Sequence, residues 1–148
     1  MKYRLMQKKD IKEVYSLGKK DFAKKDEYSW DWTIKEIKQY LKKSFGLGII
    51  CLDKNKIIGF LLLQRHYSHQ KPKTSWLTYI FVEKNYRRKK IGSNLFNLSL
   101  LKLKQFAKKE MITDIYTKNK KSMVFFKSLG FNKNEEWVIE RKIVFNKS

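Results

Sequence analysis

One short stretch concentrates the residue types that hold a phosphate. Residues 82–96 run Val-Glu-Lys-Asn-Tyr-Arg-Arg-Lys-Lys-Ile-Gly-Ser-Asn-Leu-Phe and read as a strand end, a basic turn and a helix start in close succession. Backbone N–H groups in the first turn of a helix have no intrahelical acceptor and sit at the positive end of its dipole, so they suit a pyrophosphate. Arg87, Arg88, Lys89 and Lys90 add positive charge, Ile91, Gly92 and Ser93 open the helix, and Gly92 lets backbone and ligand approach closely. A second stretch, residues 119–131, begins at Asn119 and ends Leu129-Gly130-Phe131. Asn119 and Phe126 lie about two helical turns apart, so both can face one groove. A third stretch gathers Asp21, Asp26, Glu27 and Asp31 with Phe22, Tyr28, Trp30 and Trp32 in an otherwise basic chain. Such a lip could attract an ammonium by charge and cation–π contact, although the same acids can cap a helix and the same tryptophans can pack in a core.

The elements that position these stretches follow from periodicity and punctuation. Residues 3–6 alternate as a short strand, and Asp10 with Glu13 has the spacing of a capping box for a helix over 11–17 that Gly18 would end. Thr33 and Glu36 mark a second helix over 34–43. Residues 48–52 and 57–64 flank the polar turn Asp53-Lys54-Asn55-Lys56 as a hairpin whose arms are apolar on both faces. A loop over 66–74 holds Pro72 and both histidines, His66 and His69, and a fourth strand follows over 76–82. A long helix over 91–109, a strand over 112–117, a helix over 120–129 capped by Asn119 and closed by a left-handed Gly130, and two last strands complete the order. This predicts one α/β (α+β mixed) domain over 1–148, a mixed sheet covered by helices.

Composition narrows the class. A hydrophobic share of 42% with 15% aromatics excludes a disordered chain. The formal charge of +21 makes an anionic partner, nucleic acid or ribosome, worth weighing, but the lysines are scattered from Lys2 to Lys147. A single cysteine, Cys51, excludes an internal disulfide, and the histidines form no zinc-ligand cluster. The first ten residues carry no apolar signal region, and the longest apolar run, 57–63, is too short for a bilayer. The expectation is a cytoplasmic protein with no membrane association, a monomer or homodimer.

At residues 87–92 the chain resembles the GNAT superfamily, the Gcn5-related N-acetyltransferases. Their signature is Gln or Arg, two variable residues, Gly, one variable residue, then Gly or Ala; here Arg87 takes the first place and Gly92 the last, while Lys90 stands where the first glycine is usual. Residues 119–131 are similar to the family's later strand-to-helix segment. The resemblance implies a mostly antiparallel sheet of six to seven strands, splayed between the fourth and fifth to admit acetyl-CoA (coenzyme A), with about four flanking helices. It implies that backbone groups of Ile80, Phe81 and Val82 pair with the cofactor, that an N–H near Val82 polarises the thioester carbonyl, and that Asn119 touches the pantetheine arm.

The activity implied is acetyl transfer to a primary amine, of a protein, a peptide or a small polyamine-like molecule, by direct attack on the thioester. An amine of pKa near 10 is protonated at neutral pH, so a base is useful. Asp114 stands where ribosomal-protein acetyltransferases of this superfamily place a catalytic glutamate, and Glu83, just past the fourth strand, is the second candidate. Many members have a tyrosine acid where this chain has Phe126; Tyr116, Tyr79 and Tyr86 are its nearby substitutes. Asp26, Glu27, Tyr28, Trp30 and Tyr79 are the candidate acceptor-binding residues. Two alternatives remain: a catalytically silent acyl-CoA-binding module, and a basic nucleic-acid- or ribosome-associated protein on the same scaffold.

Overall fold

The structure, a computed structural model, describes residues 1–23, 32–70, 72–106, 110–115, 119–133 and 138–142. The chain runs β1 (Lys2–Leu5), α1 (Ile11–Phe22), α2 (Ile34–Lys38), β2 (Gly46–Asp53), β3 (Lys56–Gln64), β4 (Thr74–Val82), α3 (Ile91–Leu103), β5 (Glu110–Asp114), α4 (Lys120–Ser128), β6 (Asn132–Lys133) and β7 (Val138–Lys142). All strands join one mixed sheet in the order β1-β2-β3-β4-β5-β7-β6, with β4 and β5 parallel and the other pairs antiparallel. Five strands, β2 to β5 and β7, are five residues or longer and form its body. The other two of the seven, β1 and β6, are edge pieces of four and two residues. Among the described residues four α-helices flank the sheet.

The central strands β2 and β3 are buried along almost their whole length, as their apolar arms require. One face of the sheet packs Ile49, Leu61, Leu77 and Met111 against Leu95, Phe96 and Phe126 of α3 and α4. The other packs Ile50, Phe60, Leu62 and Tyr79 against Val14, Trp32 and Ile37 of the α1–α2 side. Residues of a strand alternate between the α3–α4 side and the α1 side, except across the register shifts at Cys51/Leu52 and Leu62/Leu63.

Several punctuation marks act differently from the expectation. Asp10 does not cap α1; its carboxylate takes the Gln7 N–H at 2.7 Å and two bonds from Arg4 at 2.7 and 2.9 Å. Glu13 reaches across to accept the Ile57 N–H at 2.7 Å, tying α1 to the start of β3. Gly18 does not end α1, which continues to Phe22; a Cβ there would lie 2.6 Å from the Trp32 ring, so glycine serves packing. The helix expected over 34–43 is a five-residue α2 followed by a 3-10 turn, and α3 likewise passes into a 3-10 turn at Lys104–Phe106. Thr33 caps α2 by accepting the Glu36 N–H at 3.0 Å.

Gly130 takes the expected left-handed conformation, φ 96°. With the Phe131 N–H on the Phe126 carbonyl at 3.1 Å and the Gly130 N–H on Lys127 at 3.0 Å, the end of α4 is a Schellman motif. Its accompanying apolar contact is the Phe126–Phe131 ring pair, centroids 5.3 Å apart.

Candidate active site

The site begins where the sheet opens. β4 and β5 pair only at Thr74–Glu110, Ser75–Met111 and Trp76–Ile112. Beyond that point residues 77–82 have no strand partner on the β5 side among the described residues. The buried Thr113 hydroxyl marks the apex, donating to the Leu77 carbonyl at 2.9 Å. On its other side β4 stays paired to β3, with a register shift that leaves Thr78 as an extra residue between Leu77 and Tyr79. A bulge of this kind re-aims the backbone groups that follow it.

That bulge is held by a chain of hydroxyls with a definite direction. Thr78 donates to the Leu62 carbonyl at 3.0 Å, so at the 2.7 Å contact with Tyr40 the tyrosine is the donor. Tyr40 in turn accepts from the Gln64 amide at 3.4 Å. Burial pushes the Tyr40 phenol up to about 12. Nothing local in the sequence announces this group; Tyr40 and Thr78 meet only through the sheet.

The phase of β4 past the bulge is fixed by one bond. The Glu83 N–H donates to the Ile58 carbonyl at 2.8 Å. Alternation then turns the backbone groups of Phe81 towards β3 and those of Ile80 and Val82 towards the opening. Of the β4 trio expected to meet a cofactor through its backbone, Ile80 and Val82 have the matching orientation, and Phe81 instead offers its ring to the other face. There Phe81 stacks on Phe60 at 5.6 Å beside Phe22, Trp32 and Tyr79. Trp32 is in this cluster with 4% exposure, its indole N–H on the Tyr15 carbonyl at 3.0 Å, and so belongs to the core rather than to an acceptor lip.

The opening leads into the basic turn. Arg88 and Lys90 both adopt left-handed backbone, φ 64° and 62°, and Lys90 is the N-cap residue of α3. The first intrahelical bond is Asn94 N–H to the Lys90 carbonyl at 2.9 Å. Ile91, Gly92 and Ser93 thus present the N–H groups without intrahelical acceptors, and the side chain of the N-cap residue Lys90 does not cap the helix. Left-handed residues interleaved in a turn make a concavity of N–H groups that fits an anion. A Cβ on Gly92 would lie 3.1 Å from the Phe125 ring, so its smallness also lets α4 pack on α3.

Of the basic side chains, Arg87 donates through Nε to the Val82 carbonyl at 2.8 Å, lies 5.8 Å from the Phe81 ring centroid and reaches Asp21 of α1 at 3.9 Å. Lys89 lies 5.5 Å from the Tyr86 ring centroid. The Tyr86 hydroxyl donates to Asp53 at 2.7 Å, which raises its pKa and turns it away from any role as acid at the opening. Glu83 lies 3.6 Å from Lys56, on the β3 side of β4.

Asp114 ends β5 across the opening. Met111 and Ile115 of that segment face α3 and α4, so Asp114, of opposite parity, shares the α1 side with Tyr79 and Phe81. Asn119 caps α4, accepting the Ser122 N–H at 3.3 Å. Phe126 is 4% exposed and packs against Phe125 and Phe131. Tyr116, Asp26, Glu27, Tyr28 and Trp30 lie outside the described residues. Among the described residues no cluster of metal-ligating side chains occurs, and no helix is long and apolar enough to cross a membrane.

The sheet thus opens along one strand edge, and that strand feeds a helix start whose first N–H groups suit an anion. The model of the acetyltransferase (GNAT) family matches residues 11–131, and the chain belongs to that family. No curated protein sequence matches it. Solved structures share its fold over nearly their whole length. An acetyltransferase of the GNAT family from Staphylococcus aureus Mu50 is 20% identical with TM-score 0.78, covering 97% of this chain and 99% of its own. The ribosomal-protein-S18-alanine N-acetyltransferase from Escherichia coli is 14% identical with TM-score 0.77, covering 99% and 96%. An aminoglycoside 6'-N-acetyltransferase complexed with coenzyme A is 12% identical with TM-score 0.78, covering all of both chains.

Proposed function

We propose that the protein is an acetyl-CoA-dependent N-acetyltransferase that moves an acetyl group to a primary amine by direct attack. The observation that carries this reading is the open edge of β4 running into the left-handed turn at Arg88 and Lys90. The residues there fit the cofactor. Ile80 and Val82 offer backbone groups along an extended arm, and the N–H groups of Ile91, Gly92 and Ser93, with Arg88, Lys89 and Lys90, suit a pyrophosphate. Asn119, at the start of α4, is the remaining contact we assign to the arm. Bound acetyl-CoA supplies an activated acetyl thioester.

The chain's own groups then have distinct tasks. An N–H of Ile80 or Val82 polarises the acetyl carbonyl as charge grows on its oxygen. Asp114, on the α1 face, accepts the surplus proton as the amine nitrogen bonds to the acetyl carbon and the carbon–sulfur bond breaks. Glu83, drawn towards Lys56, is the weaker candidate for that proton. No acid has to protonate the departing sulfur, since a thiol of pKa near 8.5 is a fair leaving group as thiolate. Phe126 therefore fills the core without leaving an essential role vacant. The acidic and aromatic residues Asp26, Glu27, Tyr28 and Trp30 are the proposed acceptor lip; Tyr79, 6% exposed and packed on Phe22 and Trp32, belongs with the core instead. The relatives named above include enzymes of a ribosomal protein and of an aminoglycoside, which brackets the amines to try.

Release of free thiol from acetyl-CoA, followed across peptides, ribosomal proteins, polyamines and aminoglycosides, tests the reading. Acceptor-dependent release supports it. Tight acetyl-CoA binding with no release for any amine would replace it by the silent module.

A further inference from the structure

We propose that Asp53, in the turn between β2 and β3, is a positioning residue for the pyrophosphate-binding turn, acting through the hydroxyl of Tyr86. The inference rests on the placement of the pyrophosphate at the start of α3 made above. Tyr86 stands inside the connection from β4 to α3, between Glu83, which makes the last bond to β3, and the basic run that begins at Arg87. Its hydroxyl donates to Asp53 Oδ2 at 2.7 Å, although the two residues are 33 apart in sequence. Lys56, directly across the same hairpin turn from Asp53, lies 3.6 Å from Glu83. The hairpin thus grips the connection at its first residue and again at Tyr86.

The hairpin is a firm anchor. Lys54 and Asn55 are both left-handed, φ 49° and 69°, as the tight two-residue turn that matches strand twist requires. The connection needs such an anchor, because Arg88 and Lys90 hold left-handed conformations without glycine. Strained backbone of this kind persists only where the surroundings over-determine it.

The charge of Asp53 makes the role testable by sign. A carboxylate on the segment leading to a pyrophosphate site acts against anion binding through its field. If Asp53 acted through its field alone, removing the charge would tighten cofactor binding. If it acts as a strut, removing the acceptor oxygen weakens binding, while Asp53→Asn, which keeps an acceptor for the Tyr86 hydroxyl, restores it.

The experiment measures acetyl-CoA affinity by titration calorimetry, and the inhibition constant of S-acetylpantetheine, which lacks the pyrophosphate, against acetyl-CoA binding. Asp53→Ala and Tyr86→Phe should each weaken acetyl-CoA about tenfold, the size of one charge-assisted hydrogen bond. The double variant should be no worse than either single one, Asp53→Asn should stay within about twofold of the parent, and S-acetylpantetheine should bind Asp53→Ala as it binds the parent. Unchanged or tighter acetyl-CoA binding by Asp53→Ala overturns the proposal, and so does a parallel loss for S-acetylpantetheine. If Asp53→Ala does not fold, Tyr86→Phe alone decides, since it removes one half-buried oxygen. A parent protein that binds both thioesters equally removes the pyrophosphate placement itself; a parent that prefers acetyl-CoA, with variants that keep the preference, removes only the strut.

Discussion

Replacing Lys90 by glycine should stabilise the protein, against the usual direction of a glycine substitution at a helix start. Lys90 has φ 62° and ψ 15°, inside the left-handed region. An L-residue there carries about 1–2 kcal/mol of steric penalty that glycine does not. Glycine in turn gains roughly 0.5–1 kcal/mol of extra entropy in the unfolded chain. The difference leaves Lys90→Gly more stable by about 0.5–1 kcal/mol, a Tm rise of about 1–4 °C for a domain of this size. Lys90→Ala is the matched control, since it removes the same charge but keeps the Cβ. Urea unfolding with unchanged slope measures both, and the midpoint should rise for glycine alone. The two variants also separate what Lys90 does for the ligand. Alanine should lose about two- to fivefold in acetyl-CoA affinity with the ammonium, the scale of one charge at a helix N-terminus, and glycine should recover part of that by clearing the Cβ from the concavity. Equal midpoints for the glycine and alanine variants would refute the reasoning, because the backbone argument distinguishes only those two.

Tyr40→Phe should cost about 1–2 kcal/mol in urea unfolding, since it removes the buried donor to Thr78 and the acceptor of the Gln64 amide. Asp10 is expected to dominate one limb of the acid unfolding curve. Burial acts to raise its pKa, but the hydrogen bonds from Arg4 and the Gln7 N–H outweigh it and leave the carboxyl below its usual value. Its stabilisation is therefore complete above the unfolded pKa of about 3.9 and is lost as pH falls through the lower folded value. Asp10→Asn should be less stable at pH 7 and should flatten the pH dependence below about pH 4; an unaltered slope there would count against the pair. Asp114→Asn should lower kcat by 10²–10⁴ once an acceptor is in hand, leave acetyl-CoA affinity within about twofold, and remove the acid limb of the kcat/KM profile. Retained activity with an intact limb would move the base elsewhere.

The order of elements was legible because each carries its own local signal. Apolar arms, the Asp53–Lys56 turn, Thr33, Asn119 and Gly130 all act at short range, and the structure uses each of them as the sequence suggests. The failures are contacts made across the fold. Asp10 and Glu13 have capping-box spacing, yet Arg4 and the Ile57 N–H compete for them and win with charge-assisted or otherwise unsatisfied bonds. Gly18 looked like a helix end because glycine disfavours a helix interior, but the Trp32 ring occupies the space of its missing side chain. Thr113, Thr78 and Tyr40, which hold the apex and bulge of the opening, are unremarkable in sequence and meet their partners only once the sheet has formed.

The same distinction accounts for Lys90. A glycine at that position secures a left-handed turn locally, through the freedom of one residue. Here the turn is held from outside. Glu83 is fixed by its N–H on Ile58 and by Lys56, Tyr86 by Asp53, and Arg87 by the Val82 carbonyl, before the chain reaches Arg88 and Lys90. Each of these contacts restricts the connection from β4 to α3, and their sum can hold two left-handed L-residues that no one of them would. A lysine at position 90 then places an ammonium at the helix start in exchange for about 1–2 kcal/mol of local strain. It follows that the two features are coupled: with the Asp53–Tyr86 bond removed, Lys90→Gly should recover more stability than it adds to the parent. A double-mutant cycle between Tyr86→Phe and Lys90→Gly measures that coupling directly, and strict additivity would mean that the turn holds its shape without the hairpin.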